Sequence, residues 1–327
     1  MLSRVAESIY WMSRYVERAE NVARFIDVNL NMMLDASGMD QQWWPLVNTT
    51  GDHVDFEKRY GAATQESVIH FLTFDRENPN SMISCLRAAR ENARSVREII
   101  SSEMWLQLNK FYLTVNDAAA TGGGMESLHD FYTDAKLSSH LFTGITDATM
   151  THGEAWHFSR LARKLERADK TSRILDVKYF ILLRSVADVG TPTDDTQWAA
   201  VLRSASAFEM YRKRQGRISP KGIVQFLLLD QKFPRAIHFC LNAARDSLHA
   251  ISGTPMGSFR NNGEKLLGQL CSELAYASVD EIVNTGLHEY LDALQDRMNL
   301  VGDGIFETFF AQRIPEPGKQ MARQRTQ

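Results

Sequence analysis

Two stretches of this sequence set a glutamate directly before an arginine within a run of further charges. They are RYVERAENVARFIDV, Arg14 to Val28, and RKLERADKTSRILDV, Arg163 to Val177. Glutamates so placed can serve as acid and base or hold a cation or an amine, and guanidiniums grip phosphate or carboxylate through a fixed fork of N–H donors. Residues three and four apart share a helix face. Arg14, Glu17, Asn21, Arg24 and Val28 therefore form one stripe, and Arg163, Glu166, Lys170, Arg173 and Val177 form the corresponding one. Glu20–Arg24 and Asp169–Arg173 stand at the i,i+4 spacing of helix-supporting ion pairs. Two uses of these charges compete. In the first they are structural, as surface pairs or as an ion-pair network between two halves of the molecule. In the second the helices pack together and make a shared polar site, with Glu17 and Glu166 facing a cation or amine and Arg18 and Arg167 facing an anion. The candidate polar site is Arg14, Glu17, Arg18, Arg24, Arg163, Glu166, Arg167 and Arg173.

Other chemistry is poorly represented. A di-iron or di-manganese site in a bundle requires Glu-x-x-His on facing helices, whereas these helices read Glu-Arg-Ala-Glu and Glu-Arg-Ala-Asp. His129 and His288 occupy matched positions and are the histidines to watch near Glu17 and Glu166, but neither has a ligand partner three or four residues on that makes a clear half-site. No metal site and no cofactor are expected. Cys85 and Cys240 sit among apolar neighbours and read as small core residues. Gly122-Gly123-Gly124 lacks the strand and GK[ST] of a phosphate loop and reads as a connector. The run LRAARENARSVREII is basic and amphipathic, the pattern of a solvated helix face. The six tryptophans lie beside apolar positions and are assigned to the core.

The elements that carry these residues come in two sets. Arg14, Glu17, Arg18, Ala19, Arg24, Asp27 and Val28 recur as Arg163, Glu166, Arg167, Ala168, Arg173, Asp176 and Val177. Trp43 and FEKRYG from Phe56 then match Trp198 and YRKRQG from Tyr211. FLTFDRENPNSMISCLRAAR from Phe71 matches FLLLDQKFPRAIHFCLNAAR from Phe226, and LHDF from Leu128 matches LHEY from Leu287. Gly144-Ile145 and Gly304-Ile305 close the series. The offset changes only at stretches such as ADVGTPTDDT, which have loop composition. Four blocks in one order point to internal duplication. Within the blocks the periodicity is helical: Ile9, Met12, Val16, Ala19, Ala23, Ile26 and Leu30 recur every three or four residues. Ser3 is a candidate N-cap, and Pro79 and Pro234 precede helix starts. Breakers concentrate in 117–124, 190–195 and 253–263, and no alternating run suggests a strand. The expectation is an all-α, internally duplicated up-and-down helical bundle with pseudo-two-fold symmetry. Its repeats span 1–150 and 151–313, and a flexible tail covers 314–327.

The 327 residues, 44% hydrophobic and 24% charged, are enough for a large core without staples. A net charge of -3 argues against a protein whose main work is neutralising nucleic-acid phosphates. Three cysteines in no paired spacing fit a reducing compartment. Arg4, Glu7 and Arg14 leave no apolar signal segment, and no run approaches a membrane span. A cytoplasmic protein with no membrane or nucleic-acid partner is expected.

The two Glu-Arg segments, with ARENARSVREIISSEMW and FLLLDQKFPRAIHFCL, resemble the alpha-E family of bacterial proteins over nearly the whole chain. The family's Glu-Arg motif falls on Glu17-Arg18 and Glu166-Arg167. The resemblance implies an all-helical protein typically encoded beside, or fused to, a circularly permuted ATP-grasp ligase and a transglutaminase-like peptidase. It thereby implies peptide synthesis or modification by amide-bond formation, with the ligase, the peptidase or their peptide substrate as partner. The family assigns no reaction to its motif, and the chain shows no nucleophile–base pair, metal half-site or nucleotide loop. An accessory, docking or substrate-presenting component is therefore expected rather than an enzyme. The competing expectation is an enzyme or small-ligand-binding protein that uses the paired motifs as an acid/base, anion or metal site.

Overall fold

A computed structural model describes residues 1–35, 43–121, 128–181 and 192–311, and among these the regular structure is entirely helical. The triple glycine, residues 187–191 of the loop 187–196 and the tail 314–327 lie outside the described residues. α1 (Ser3–Asp35) is followed by three short helices, α2 (Trp44–Thr50), α3 (His53–Tyr60) and α4 (Gln65–Ile69). A π-helical turn at His70–Phe74 leads to α5 (Met82–Ser95), α6 (Ser102–Ala120) and α7 (Leu128–Thr149). The same order resumes with α8 (Glu154–Ile181), α9 (Pro192–Ser204), α10 (Phe208–Gln215) and α11 (Pro220–Val224). A second π-helical turn at Gln225–Leu229 is followed by α12 (Ile237–Ser252), α13 (Asn262–Tyr276), α14 (Val279–Thr285) and α15 (Leu287–Ile305). A third π-helical turn, Phe306–Phe310, closes the described chain.

Two four-helix units share this core. α1, α5, α6 and α7 pack in a ring, and α8, α12, α13 and α15 pack in another. The rings join along α1 and α8, and the short helices cross over, α2 resting on α8 and α9 on α1. This central position explains the composition of α1. Its apolar stripe Ile9, Met12, Val16, Ala19, Ala23 and Ile26 is buried, yet so are Glu17, Glu20, Asn21, Arg24 and Asp27 on its other faces. A helix wrapped on all sides must bury its polar residues as well. Phe310 packs on Tyr10 at 5.3 Å and on Phe158 at 5.8 Å, closing one end of the α1/α8 pair.

Local expectations are met in part. Ser81 caps α5 by accepting from the Ser84 N–H, and Cys85 and Cys240 are fully buried. Trp43 and Trp198 are buried, and Trp11, Trp44, Trp105 and Trp156 pack partly exposed against the core. Ser3 is the first helical residue and not the cap, because the carbonyl of Leu2 accepts from Val5 and Ala6. All three expected breaker stretches are partly helical, the last only at Asn262 and Gly263, where α13 begins. α6 continues through Asp117 to Ala120, where three alanines favour helix. α9 begins on Pro192, a residue suited to a helix's first position.

Candidate functional site

Glu17 and Glu166 each lie on a long central helix at its contact with the other, and each is gripped by the arginine of the opposite motif. Arg167 donates to Glu17 through Nε (2.6 Å to Oε1) and Nη2 (2.8 Å to Oε2), a two-pronged bond. Arg18 answers on Glu166, with Nε at 2.7 Å from Oε1 and Nη2 at 3.2 Å from Oε2. The two Glu-Arg motifs thus clasp reciprocally across the α1/α8 contact. Both carboxylates are buried, Glu17 at 2% exposure and Glu166 at 0%.

Around this shared centre the two sides differ. Glu166 also accepts from Arg14 Nε at 2.7 Å, and Lys170 lies at 3.8 Å. Arg163, the counterpart of Arg14, does not reach Glu17; its nearest carboxylate is Asp147 at 3.7 Å, and its Nε is buried without a hydrogen-bond partner. Arg235 supplies the second cation for Glu17 at 3.5 Å and also donates to Glu20 at 2.6 Å. Its counterpart is Asn80, whose Oδ1 accepts from Arg18 Nη1 at 2.6 Å while its Nδ2 donates to Asp52 at 2.8 Å.

One turn further along, Arg24 pairs with Glu20 and donates to Ser206, and Arg173 pairs with Asp169 at 3.1 Å. Ser206 follows α9 with a φ of +49°, and its counterpart Gly51 follows α2 with a φ of +82°. A Cβ at Gly51 would lie 3.6 Å from Arg173 Nη1. Each arginine therefore reaches a left-handed turn contributed by the other half.

Charge states follow from this packing. Burial works against ionisation of every carboxylate here, and the cations outweigh it. Arg167 and Arg235 hold Glu17 below the usual carboxylate range, while Arg18, Arg14 and Lys170 hold Glu166 well below it. Glu20 is also held well below by Arg235 and Arg24, and Asp169 falls to about 2 beside Lys170 and Arg173. Arg163 and Arg235 are lowered by burial, with Arg167 as a neighbouring like charge. Beside Glu17 and Arg163 lies a cavity of about 10 Å³ lined also by Ser13, Ser139, Thr146 and Ser159. It offers roughly the room of one water.

All eight candidate residues thus belong to one band along α1 and α8, with Glu17, Arg24 and Glu166 buried and the other five arginines partly so. Their guanidiniums are taken up mainly by the protein's own carboxylates. Arg235, Asn80 and Ser206 were missed because their own positions do not match in type across the two halves. His129 and His288 do not join Glu17 and Glu166. His129 bonds Asp27 and His288 bonds Asp176, each at 2.7 Å. Because Asp27 and Asp176 also match, this pairing within each half was open to sequence reasoning. Among the described residues no cluster of three metal-ligating side chains occurs, and no helix is long and apolar enough to cross a membrane.

A family described as a predicted alpha-helical domain with a conserved ER motif, Alpha-E, matches residues 1–310. The chain belongs to the Alpha-E family. The reciprocal clasp gives that ER motif its physical setting in this Alpha-E chain. Similar proteins include an uncharacterized protein of Mycobacterium bovis and one of Mycobacterium tuberculosis strain H37Rv. Each is 22% identical over 96% of this chain and 37% of its own length. The Alpha-E chain therefore spans well under half of the curated relatives it matches. No solved structure matches it.

Proposed function

We propose that this protein is a non-catalytic binding module, an accessory component that docks on, or presents substrate to, a cytoplasmic amide-forming ligase of the ATP-grasp kind. The observation that carries the reading is the reciprocal clasp. Glu17 is bonded at both carboxylate oxygens by Arg167, and Glu166 at both by arginines of α1. A catalytic acid or base needs a lone pair or proton within reach of substrate. Here the carboxylates are buried, pushed towards permanent ionisation, and served by a cavity of about 10 Å³. The motif is accordingly a fastener between two helical units. Function is left to the outer surfaces.

Two further points support the reading. The ligase and peptidase association implied by the family resemblance supplies partners of fitting chemistry. The curated relatives carry most of their length outside the matched region, so there the module works joined to other sequence. Co-expression with an ATP-grasp ligase and a transglutaminase-like peptidase of the kinds the family resemblance implies, followed by affinity capture and ATP-turnover assays, tests the proposal. The isolated protein is expected to leave ATP intact and to retain the ligase or its peptide substrate. ATP turnover by the isolated chain, abolished by Glu17→Gln with the fold preserved, would overturn it.

A further inference from the structure

One departure from likeness between the two halves is electrostatic and lies apart from the clasp. Between residues 203 and 221 stand Arg203, Arg212, Lys213, Arg214, Arg217 and Lys221, with Glu209 as the sole acid. The matched stretch of the first half, 48–66, carries Asp52, Asp55, Glu57 and Glu66 against Lys58 and Arg59. All six basic residues of the second stretch are exposed. Arg59 of α3 is neutralised by Asp55, Asp75 and Glu77. Its counterpart Arg214 has Asp230, and Lys221 has Asp280 at 2.6 Å. Arg203, Arg212, Lys213 and Arg217 have no carboxylate within ion-pair distance among the described residues.

Arg203 and Arg212 are held in place by a ring, and Arg217 by its backbone. The guanidiniums of Arg203 and Arg212 both lie over the Phe208 ring, at 5.0 and 5.7 Å from its centroid. The loop bearing Arg217 is tied to the buried Tyr211, whose hydroxyl donates to the Arg217 carbonyl at 3.1 Å and accepts from the Ser219 N–H at 3.2 Å. Fixed side chains lose less entropy on binding than free ones. Met210, 44% exposed, adds apolar surface on the same short helix.

We propose that this surface, formed by the end of α9, by α10 and by the loop leading into α11, docks an acidic peptide segment. Carboxylates match guanidinium forks, and Met210 offers an apolar contact that a peptide side chain can use. Single-stranded nucleic acid fits less well, because the Phe208 ring on which a base would stack already lies beneath two guanidiniums. The proposal names a docking face for the binding-module reading and rests on it for the peptide's biological source, not for the binding itself.

The test uses the purified full chain and a fluorescein-labelled peptide of alternating glutamate and leucine, read by fluorescence anisotropy. Saturable binding that weakens with added salt is expected. The triple variant Arg212→Glu, Lys213→Glu, Arg217→Glu should lose about tenfold or more in affinity, as reversal of contacting charges does. Arg87→Glu with Arg94→Glu, on the exposed basic face of α5, should leave affinity within about twofold if the effect is local. Circular dichroism checks the fold, and Arg212→Gln with Arg217→Gln serves should the triple variant not fold. No saturable binding, equal losses from the α10 and α5 variants, or tighter binding of single-stranded DNA or phosphatidylserine vesicles would each overturn the proposal. Failure here with ligase capture intact overturns only this proposal. ATP turnover by the isolated chain would overturn the accessory role and leave the peptide result standing.

Discussion

Glu166 and Glu17 occupy the same place in two matched helices and are charge-balanced by different routes. Glu166 draws both of its close cations from α1, Arg14 and Arg18, with Lys170 behind. Glu17 draws one from α8, Arg167, and one from the turn before α12, Arg235. Where the first half has Asn80 the second has Arg235, and where Arg14 turns inward its counterpart Arg163 turns to Asp147. The constraint is thus on the balance of buried charge around each carboxylate and not on which residue supplies it. Unpaired buried charge is what the fold cannot tolerate.

The sharpest way to break this comparison is to remove one carboxylate at a time. Glu166→Ala should cost about 3–5 kcal/mol, because it removes a fully buried carboxylate and strands the partly buried Arg14 and Arg18. Glu17→Ala should cost less within that range, since Arg235 keeps Glu20. Chemical denaturation of both variants decides. Equal, unchanged midpoints would show that the clasp does not hold the halves together.

Acid probes the same balance without mutation. Glu17, Glu20, Glu166 and Asp169 all ionise more readily folded than unfolded. The unfolded chain therefore binds more protons in the acid range. Their contribution is fully present above the ordinary carboxylate pKa of about 4–4.5 and is lost as pH falls through the folded values. For Asp169, which falls to about 2, the share is on the order of 2 kcal/mol. A stability–pH profile should drop between about pH 4.5 and 2. The double variant Glu17→Gln, Arg167→Gln should flatten that drop, and an identical slope would locate the acid sensitivity elsewhere.

The smallest effect compares a matched pair of glycines. A Cβ on Gly304 of α15 would come within 2.8 Å of the Gly263 backbone nitrogen, where α13 and α15 touch. Gly144 of α7 faces open space. Gly304→Ala should destabilise by about 1–3 kcal/mol, as overpacking does. Gly144→Ala should stabilise by up to about 1 kcal/mol through helix propensity. Thermal melts of like sign would dissolve the contrast between the two positions.

Much of this was legible in the sequence. The spacing of Ile9, Met12, Val16 and Ala19 announces a buried helix face, and the block order announces that the element series runs twice. The type of each motif residue was legible too. What it touches was not, because an i,i+4 pattern describes one helix, whereas Glu17 answers to Arg167 and Arg235 on other elements. The expectation of symmetry also misdirected attention. It singled out identical residues and passed over Asn80 and Arg235, the non-identical pair on which the charge balance turns. The basic run of α5 stood out as one continuous stretch, whereas Arg203, Arg212, Arg217 and Lys221, which align with Asn48, Glu57, Ala62 and Glu66 in the first half, are spread over α9, α10 and the segment after it.

The clasp has a consequence in time. Glu17 and Arg167 are 150 residues apart, and Glu17 and Arg235 are 218 apart. At a translation rate of roughly 5–20 residues per second, Glu17 leaves the ribosome on the order of 10–30 s before its first counter-ion does. During that wait α1 has α5, α6 and α7 to pack against, but its carboxylate must stay hydrated, so that face of the nascent ring stays open to water. Arrival of α8 closes it. Contacts so distant along the chain make for slow folding, and the interval is when chaperones or foreign hydrophobic surfaces have access to the unfinished half.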